Sequence, residues 1–120
     1  MLLVEDNQLN AEIAAELLRM SGLTVDCAWD GIEAVDCLSS CPDGYYDMVF
    51  MDIQMPVMDG LEATRRIRAF DPVVPIVAVT AFAYDRDRQK ALAAGANEYV
   101  AKPLSGEHIR RVLGTLLAGG

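Results

Sequence analysis

The sequence contains few of the residues that build disulfides, thiolate metal sites or basic surfaces. Among its 120 residues there are three cysteines and one histidine. Cys27, Cys37 and Cys41 form no Cys-x-x-Cys pair, which excludes the common zinc spacings and favours reduced, partly buried thiols. Ten lysines and arginines stand against 18 aspartates and glutamates, a net charge of −8. This balance argues against direct contact with nucleic acid or an anionic membrane, because both ligands require a basic face.

Long hydrophobic runs are absent as well. Every apolar run is far shorter than the roughly 20 residues that a membrane span needs, and segment 1–4 is too short for the core of a signal peptide. We therefore expect a cytoplasmic location. The sequence does contain 52% hydrophobic and 23% charged residues, which is typical of globular proteins, and we expect residues 1–120 to form one domain.

Short apolar runs alternate along the chain with segments of helical periodicity. Residues 2–4, 23–28, 48–51, 76–79 and 98–101 are predicted strands, and a predicted helix follows each of them. Five successive βα units predict an α/β fold, in which a doubly wound parallel sheet of five strands carries helices on both faces.

The helices are expected to begin at capping residues and to end at glycines. Asn7 and Asp59 can cap the first and third helices, and Gly22 and Gly95 can end the first and fourth. Ser105 can cap the last helix. In the first helix, the pattern predicts an apolar, core-facing side formed by Leu9, Ile13, Leu17 and Met20.

Polar residues follow four of the five predicted strands. Glu5 and Asp6 follow the first strand, Asp52 the third, Thr80 the fourth, and Lys102 with Pro103 the fifth. In open α/β sheets the working site lies at these carboxyl ends. Taken singly, each residue has a simpler explanation as a helix cap, a turn residue or part of a loop. Their joint occurrence at one edge of the sheet predicts a functional site.

This set of residues suits phosphoryl transfer. Carboxylates about 4 Å apart repel each other by about 4 kcal/mol at an effective dielectric constant of about 20. Mg²⁺, which prefers oxygen ligands, and the ammonium group of Lys102 would offset that repulsion. Asp52 could then act as a nucleophile toward phosphorus, with the Thr80 hydroxyl as a hydrogen-bond donor.

With their flanking residues, these positions resemble a known family, the receiver domains of two-component response regulators and hybrid histidine kinases. The segments that carry the resemblance are 3–7 (LVEDN), 51–60 (MDIQMPVMDG), 79–81 (VTA) and 102–103 (KP), and the likeness extends over essentially the whole chain. It implies the flavodoxin-like receiver fold, with a sheet in the strand order 2-1-3-4-5.

The resemblance assigns roles to individual residues. Asp52 would be the phosphoacceptor. The implied Mg²⁺ ligands are Asp6, Asp52 and the backbone carbonyl of Gln54, with Glu5 acting through water. The implied contacts of the phosphoryl group are the Thr80 hydroxyl, the Ala81 backbone N–H and the Lys102 ammonium.

Further implications concern switching and the source of phosphate. Thr80 and Tyr99 would form a switch pair, and a cis peptide bond would join Lys102 to Pro103. His108, in the first turn of the last helix, is expected to be an exposed surface residue rather than a phosphodonor. The phosphoryl group would therefore come from a histidine kinase, a histidine phosphotransfer domain or a small phosphodonor.

The implied function is that of a phosphoacceptor receiver domain in a His-Asp phosphorelay, as part of a hybrid sensor histidine kinase that could itself be membrane-bound. The start of the chain on the first strand and its end just after the last helix agree with this interpretation. The alternative is a stand-alone single-domain response regulator that acts by binding a protein. In neither case would the domain be an enzyme beyond catalysing its own phosphorylation and dephosphorylation. Weak homodimerisation through the fourth and fifth helices is also implied.

Two other functional classes fit the residues less well. A phosphohydrolase of the haloacid dehalogenase type needs a second aspartate two residues after the nucleophile, where Gln54 stands. A dinucleotide-binding domain needs Gly-x-Gly-x-x-Gly after its first strand, where Glu5 and Asp6 would instead repel a phosphate.

Overall fold

Five strands alternate with five helices along the chain. The computed structural model describes residues 1–42, 45–53, 55, 58–80, 85–102 and 106–118, of which 115–118 are described by their backbone alone. The strands are β1 (Leu2–Val4), β2 (Asp26–Ala28), β3 (Val49–Asp52), β4 (Ile76–Thr80) and β5 (Glu98–Ala101). The helices are α1 (Gln8–Met20), α2 (Gly31–Ser40), α3 (Gly60–Phe70), α4 (Asp85–Ala94) and α5 (Gly106–Ala118).

The strands form one parallel sheet in the order β2-β1-β3-β4-β5. This confirms the predicted α/β class and the strand order that the resemblance implies. The order places β1 and β3 side by side at the centre, with β4 next to β3. Residues that follow β1, β3 and β4 therefore meet at one edge of the sheet.

Helices cover both faces of the sheet because alternate strand residues point to opposite faces. Leu2, Val4 and Met51 belong to a core cluster with residues of α2, α3 and α4. Leu3 and Phe50 belong to a second cluster with residues of α1 and α5. Burial on both faces explains why β3 is apolar at every position before Asp52.

The prediction for the apolar face of α1 was wrong. Leu9, Ile13 and Met20 are exposed, and Leu17 is only partly buried. The buried positions are Ala11, Ala14, Ala15 and Leu18. Three of these four residues are alanines, whose small side chains allow the helix to pack close to the sheet. The large apolar side chains of α1 are therefore left on its outer surface.

The second strand begins later than the predicted residue 23. Gly22 has a φ of 87°, and the N–H groups of Gly22 and Leu23 donate to the carbonyl groups of Arg19 and Leu18. These bonds form a Schellman motif, so Leu23 belongs to the end of α1 rather than to β2. The predicted caps Asn7 and Asp59 are confirmed at the starts of α1 and α3, while Ser105 lies outside the described residues.

The three cysteines are thiols rather than disulfide partners. Cys27, Cys37 and Cys41 are free and half-buried, which confirms the expectation from their spacing. Within the described part of the chain, no helix has the length and apolar character needed to cross a bilayer.

Gly95 ends α4 with the same hydrogen-bond pattern as Gly22 at the end of α1. Its replacement is expected to destabilise the domain. Its φ is 115°, and a Cβ there would lie 2.6 Å from Cγ of Arg68. The Arg68 guanidinium cannot move freely, because its Nε donates to the Gly95 carbonyl (2.8 Å) and its Nη2 to Asn97 Oδ1 (2.6 Å). We predict that Gly95→Ala lowers the free energy of unfolding by at least about 2 kcal/mol, measured by urea denaturation.

Gly22→Ala is the matched control, because Gly22 also has a positive φ but no atom of the described residues lies within 4 Å of the position that its Cβ would occupy. Backbone strain alone should then cost about 1 kcal/mol. If both variants lose the same free energy of unfolding, the Arg68 side chain moves away from the added methyl group without destabilising the domain.

Candidate functional site

Three carboxylates meet at the carboxyl edge of the sheet. Glu5 and Asp6 follow β1, and Asp52 is the last residue of β3. Each offers an oxygen, and these atoms all lie within 4.8 Å of one another. Asp52 is 2% exposed and Glu5 is buried as well, whereas Asp6 is exposed. The structure thus brings together the three acidic residues that the strand ends predicted.

Lys102 lies between two of these carboxylates. Its Nζ is 2.9 Å from Glu5 Oε2 and 3.0 Å from Asp52 Oδ2. The Lys102 backbone N–H donates to the Thr80 carbonyl at 2.6 Å, which ties the end of β5 to the end of β4. Burial lowers the pKa of the Lys102 ammonium, but the hydrogen bonds to Glu5 and Asp52 outweigh burial, and the pKa lies above its ordinary value. The group therefore stays charged beside Asp52.

Glu5 is held at its second oxygen as well. Its Oε1 accepts a hydrogen bond from the Asn7 backbone N–H at 3.2 Å. The Asn7 side chain in turn accepts from Asn10 N at 3.0 Å and caps α1. Burial raises the pKa of Glu5, the hydrogen bond with Lys102 lowers it, and the charge of Asp52 raises it, with a net increase. A cation in this cluster would relieve the repulsion that contributes to that increase.

The cluster has the ligand chemistry of a hard divalent cation. Its donor atoms are all carboxylate oxygens, which suits Mg²⁺ better than a softer transition metal. Asp6 is exposed, so one side of the cluster faces solvent, and Mg²⁺ usually keeps several waters. Glu5, Asp6 and Asp52 therefore fit the metal that the resemblance implies.

Gly60 positions the phosphoacceptor candidate, and sequence reasoning assigned it no such role. The start of α3 lies directly against the end of β3, and the Gly60 N–H donates to the Ile53 carbonyl at 3.3 Å. A Cβ on Gly60 would collide with the Asp52 carbonyl oxygen and would lie 2.6 Å from Ile53 Cα. The available signal was the Asp-Gly pair at a helix start, which indicated a cap but not the close contact.

Thr80 on β4 and Tyr99 on β5 are diagonal neighbours, because Tyr99 pairs with Ala78 and Thr80 pairs with Ala101. Thr80 is buried at the end of β4, and Tyr99 is half-buried. Burial is the main cause that raises the pKa of the Tyr99 phenol, the charge of Asp87 adds to it, and the hydrogen bond with Thr80 opposes it. The structure therefore places the two predicted switch residues in contact.

The remaining predicted positions are of two kinds. Gln54, Ala81 and Pro103, and with Pro103 the expected cis peptide bond, lie outside the described residues. The prediction that His108 is exposed was wrong, because the residue is half-buried. Residues four positions apart lie on the same side of a helix, and His108 stands four positions before the buried Val112. His108 therefore lies at the border of the inward-facing side of α5.

A cavity of about 330 Å³ adjoins Asp52 and Lys102. It lies between α1 and the sheet, with Ile13 and Ala14 on one wall and Val79 on another. No sequence pattern indicates it, since Ile13 is predicted to face the core, Val79 is predicted to lie in a strand, and Ala14 carries no prediction. Its position leaves the acidic cluster accessible from the side of α1.

Comparisons with known proteins agree with this geometry. The sequence profile of the family described as "Response regulator receiver domain" matches residues 1–113. Hybrid signal transduction histidine kinase B of Dictyostelium discoideum is 42% identical in an alignment of 116 positions, and the match covers 86% of this chain. The match covers 6% of that kinase, so the chain corresponds to a small part of this relative.

Two solved structures are similar over nearly the whole chain. One is the receiver domain of a sensor histidine kinase from Pseudomonas aeruginosa PAO1, with a magnesium ion coordinated in its active-site cleft. It has a TM-score of 0.87 and 41% identity, and the match covers 98% of this chain and 95% of that one. The other is a Saccharomyces cerevisiae response regulator receiver domain, crystallised with a histidine phosphotransfer signalling protein. It has a TM-score of 0.86 and 33% identity, and the match covers 96% of this chain and 86% of that one.

Proposed function

This chain belongs to the response regulator receiver domain family, and we propose that it accepts a phosphoryl group on Asp52 from a phosphohistidine with the help of Mg²⁺. The observation that carries the proposal is the environment of Asp52. One carboxylate, 2% exposed, lies at the end of a central strand, 3.0 Å from Lys102 Nζ and within 4.8 Å of two further carboxylates. Glu5 also pairs with Lys102, and the place of Asp52 in the 51–60 segment that resembles the receiver family supports Asp52 rather than Glu5 as the nucleophile.

The reaction would proceed by attack of an Asp52 carboxylate oxygen on phosphorus. The P–N bond of the phosphohistidine would break, and its electron pair would go to the imidazole nitrogen. Lys102 would pair with one phosphoryl oxygen, and the Thr80 hydroxyl and the Ala81 N–H would donate to the others. Bound Mg²⁺, held by Asp6, Asp52 and the Gln54 carbonyl with Glu5 acting through water, would supply neutralising charge.

The family is a signalling family rather than one of conventional enzymes, and the proposed partner is a histidine kinase or histidine phosphotransfer domain. The Saccharomyces cerevisiae complex supports that choice. The similarity to hybrid kinases supports a place in a hybrid sensor kinase rather than a stand-alone regulator. We treat residues 1–120 as one receiver domain, and weak self-association through α4 and α5 stays a prediction.

Phosphorylation would act on partners through Thr80 and Tyr99. The contact between these residues supports a coupled movement, in which Thr80 turns toward the phosphoryl group and the Tyr99 ring follows. In thermodynamic terms, the phosphoryl group would shift the population between two existing arrangements.

The side of the domain around α1 supplies a surface for the phosphodonor protein. Leu9, Ile13, Trp29 and Ile32 are exposed, large and apolar, and we call them the α1–α2 apolar surface. Leu9 and Ile13 lie in the first two turns of α1, and Trp29 and Ile32 follow β2, so all four lie toward the edge that carries Asp52. Exposed apolar side chains at a functional edge support a protein interaction site there.

The test measures phosphoryl transfer from a phosphorylated histidine phosphotransfer domain in Mg²⁺ buffer. We expect the wild type to be labelled, and we expect Leu9→Asp to be labelled at least about tenfold more slowly, because a carboxylate would be desolvated in the interface. Labelling by acetyl phosphate should be unchanged, since Leu9 does not line the site.

Met20→Asp is the matched control, because Met20 is exposed on the same helix but at its other end. Similar slowing by both variants would place the donor elsewhere. A wild type labelled by acetyl phosphate but by no phosphohistidine protein would contradict the proposed donor.

A further inference from the structure

A second cleft lies at the edge of the sheet opposite to Asp52. It has a volume of about 400 Å³ and is lined at the amino ends of β3 and β4 by Tyr46, Asp47, Phe70, Asp71, Val73 and Pro75, among others. We call these six residues the amino-edge cleft. None of them belongs to the proposed phosphorylation site, and no step of the proposed reaction uses them.

Aromatic and apolar side chains form the walls of the cleft and extend beyond it. Phe70 is exposed, and Val73 is 80% exposed. The Tyr46 ring packs edge-to-face with the exposed ring of Tyr45, with centroids 4.9 Å apart and planes at 89°. The Tyr46 hydroxyl donates to Asp26 Oδ2 at 3.0 Å, which fixes the ring in place. The apolar surface is thus preformed, and it costs free energy to keep it in water.

Two carboxylates, Asp47 and Asp71, line the cleft, and its described lining includes no lysine or arginine. The Arg68 guanidinium lies beside Asp71, whose backbone carbonyl accepts from Arg68 Nη1 at 3.1 Å, so Asp47 is the carboxylate available to a cationic ligand. Asp71 is held by its own backbone turn, since its Oδ1 accepts from the N–H groups of Val73 and Val74 at 3.0 Å each. Within the described chain, no ion pair is formed by Asp47. A cationic group of a ligand would therefore find a carboxylate beside an aromatic wall.

Geometry restricts the kind of chain that can dock there. β3 and β4 each have a neighbouring strand on both sides, so an added strand finds no free edge. A docked helix inserts apolar side chains from positions i to i+7, which span about 10 Å along its axis, and it needs an apolar groove of that length. A cleft of about 400 Å³ holds only one or two side chains, so it is too small for a helix. A polyproline II segment fits, because it presents single proline rings to small aromatic-lined clefts.

We propose that the amino-edge cleft binds a proline-containing segment of a partner protein in the polyproline II conformation, with a basic residue next to the proline. The proline ring packs against Phe70, Tyr46 and Val73. The basic side chain pairs with Asp47. This interaction is independent of the proposed phosphorylation, because it uses the opposite edge of the sheet.

The experiment uses fluorescence anisotropy with a labelled peptide of about seven residues that carries prolines at three-residue spacing and arginines at both ends. Two control peptides carry glutamates in place of the arginines or alanines in place of the prolines. We expect saturable binding of the first peptide, and at least about tenfold weaker binding of each control. Asp52→Ala should bind the first peptide as the wild type does, even if it accepts no phosphate.

Variants of the cleft locate the binding. Asp47→Lys should weaken binding about tenfold, and Val73→Ser at least about threefold. Val73 is so exposed that its replacement should not affect folding, and Leu92→Ser, at an exposed apolar position on α4, should leave binding unchanged. Backbone amide shifts in NMR spectra should move at Asp47 and Val74. Absence of saturable binding, equal binding of the three peptides, or shifts confined to the α1–α2 apolar surface would each overturn the proposal.

Discussion

Incubation with acetyl phosphate and Mg²⁺ is expected to add one phosphoryl group to the wild-type chain and none to Asp52→Ala. Asp52 is buried, lies 3.0 Å from the Lys102 ammonium and has two acidic neighbours. Glu5 shares these features, so the choice of Asp52 as the acceptor rests on its place in the 51–60 segment (MDIQMPVMDG) that resembles the receiver family. Among the described residues, the exposed carboxylates elsewhere have neither this cation nor this cluster, so they should not react at a comparable rate. Intact-protein mass spectrometry measures the result, and removal of Mg²⁺ by a chelator should abolish the adduct in the wild type.

Controls separate an aspartyl phosphate from other adducts. Asp36→Ala removes an exposed carboxylate from α2 and should leave labelling unchanged. Hydroxylamine should release the phosphoryl group, because it cleaves acyl phosphates and leaves phosphate esters intact. An adduct that persists in Asp52→Ala would assign the acceptor to another residue. A wild type that neither takes up phosphate nor binds Mg²⁺ in a titration would refute the phosphoacceptor proposal and leave a protein-binding domain on this scaffold.

The strand ends could be read from the sequence because buried parallel strands have a strong pattern. Apolar runs such as 48–51 stop abruptly at a polar residue, and the parallel α/β arrangement forces those stops to one edge. The convergence of Glu5, Asp52 and Lys102 follows from that topology. The distances among them do not follow from it, since they depend on the sheet twist and on side-chain rotamers.

The core-facing side of a helix was harder to predict, because the largest apolar side chains of a helix are not always its buried ones. In α1 the periodic pattern of Leu9, Ile13 and Leu17 satisfies a helical period and suggested the core side. The true core side contains mainly alanines, which hydropathy ranks low but which permit close packing. The exposed large side chains of α1 are consistent with the proposed donor surface, and a single sequence does not distinguish such a surface from a core stripe.

The sequence also does not predict which glycines lie in close contact with other backbone atoms. Gly60 and Gly106 both occupy the first position of a helix and look equivalent in sequence. The structure separates them, because the space for a Cβ is blocked at Gly60 by backbone atoms of Asp52 and Ile53. At Gly106 the nearest atom among the described residues is Arg110 Nη1, at 3.5 Å. The same substitution should therefore have different effects at the two positions.

Gly60→Ala is expected to destabilise the domain and to displace Asp52. The added Cβ would collide with the Asp52 carbonyl oxygen and lie 2.9 Å from the Asp52 carbonyl carbon. These are backbone atoms of a central strand, which cannot move aside as a flexible side chain can. We expect a loss of about 2–4 kcal/mol in the free energy of unfolding, measured by urea denaturation. Labelling of Asp52 by acetyl phosphate should also slow at least about tenfold, because a shift of about 1 Å in a reacting group is costly.

Gly106→Ala is the matched control for this prediction. In both helices alanine has a higher helical propensity than glycine by up to about 1 kcal/mol, so the difference between the variants isolates the collision with β3. We expect Gly106→Ala to be as stable as the wild type or more so, and to be labelled at the wild-type rate. If Gly60→Ala behaves in the same way, the end of β3 tolerates the extra methyl group, and the placement of Asp52 depends on Lys102 and the acidic cluster rather than on the start of α3.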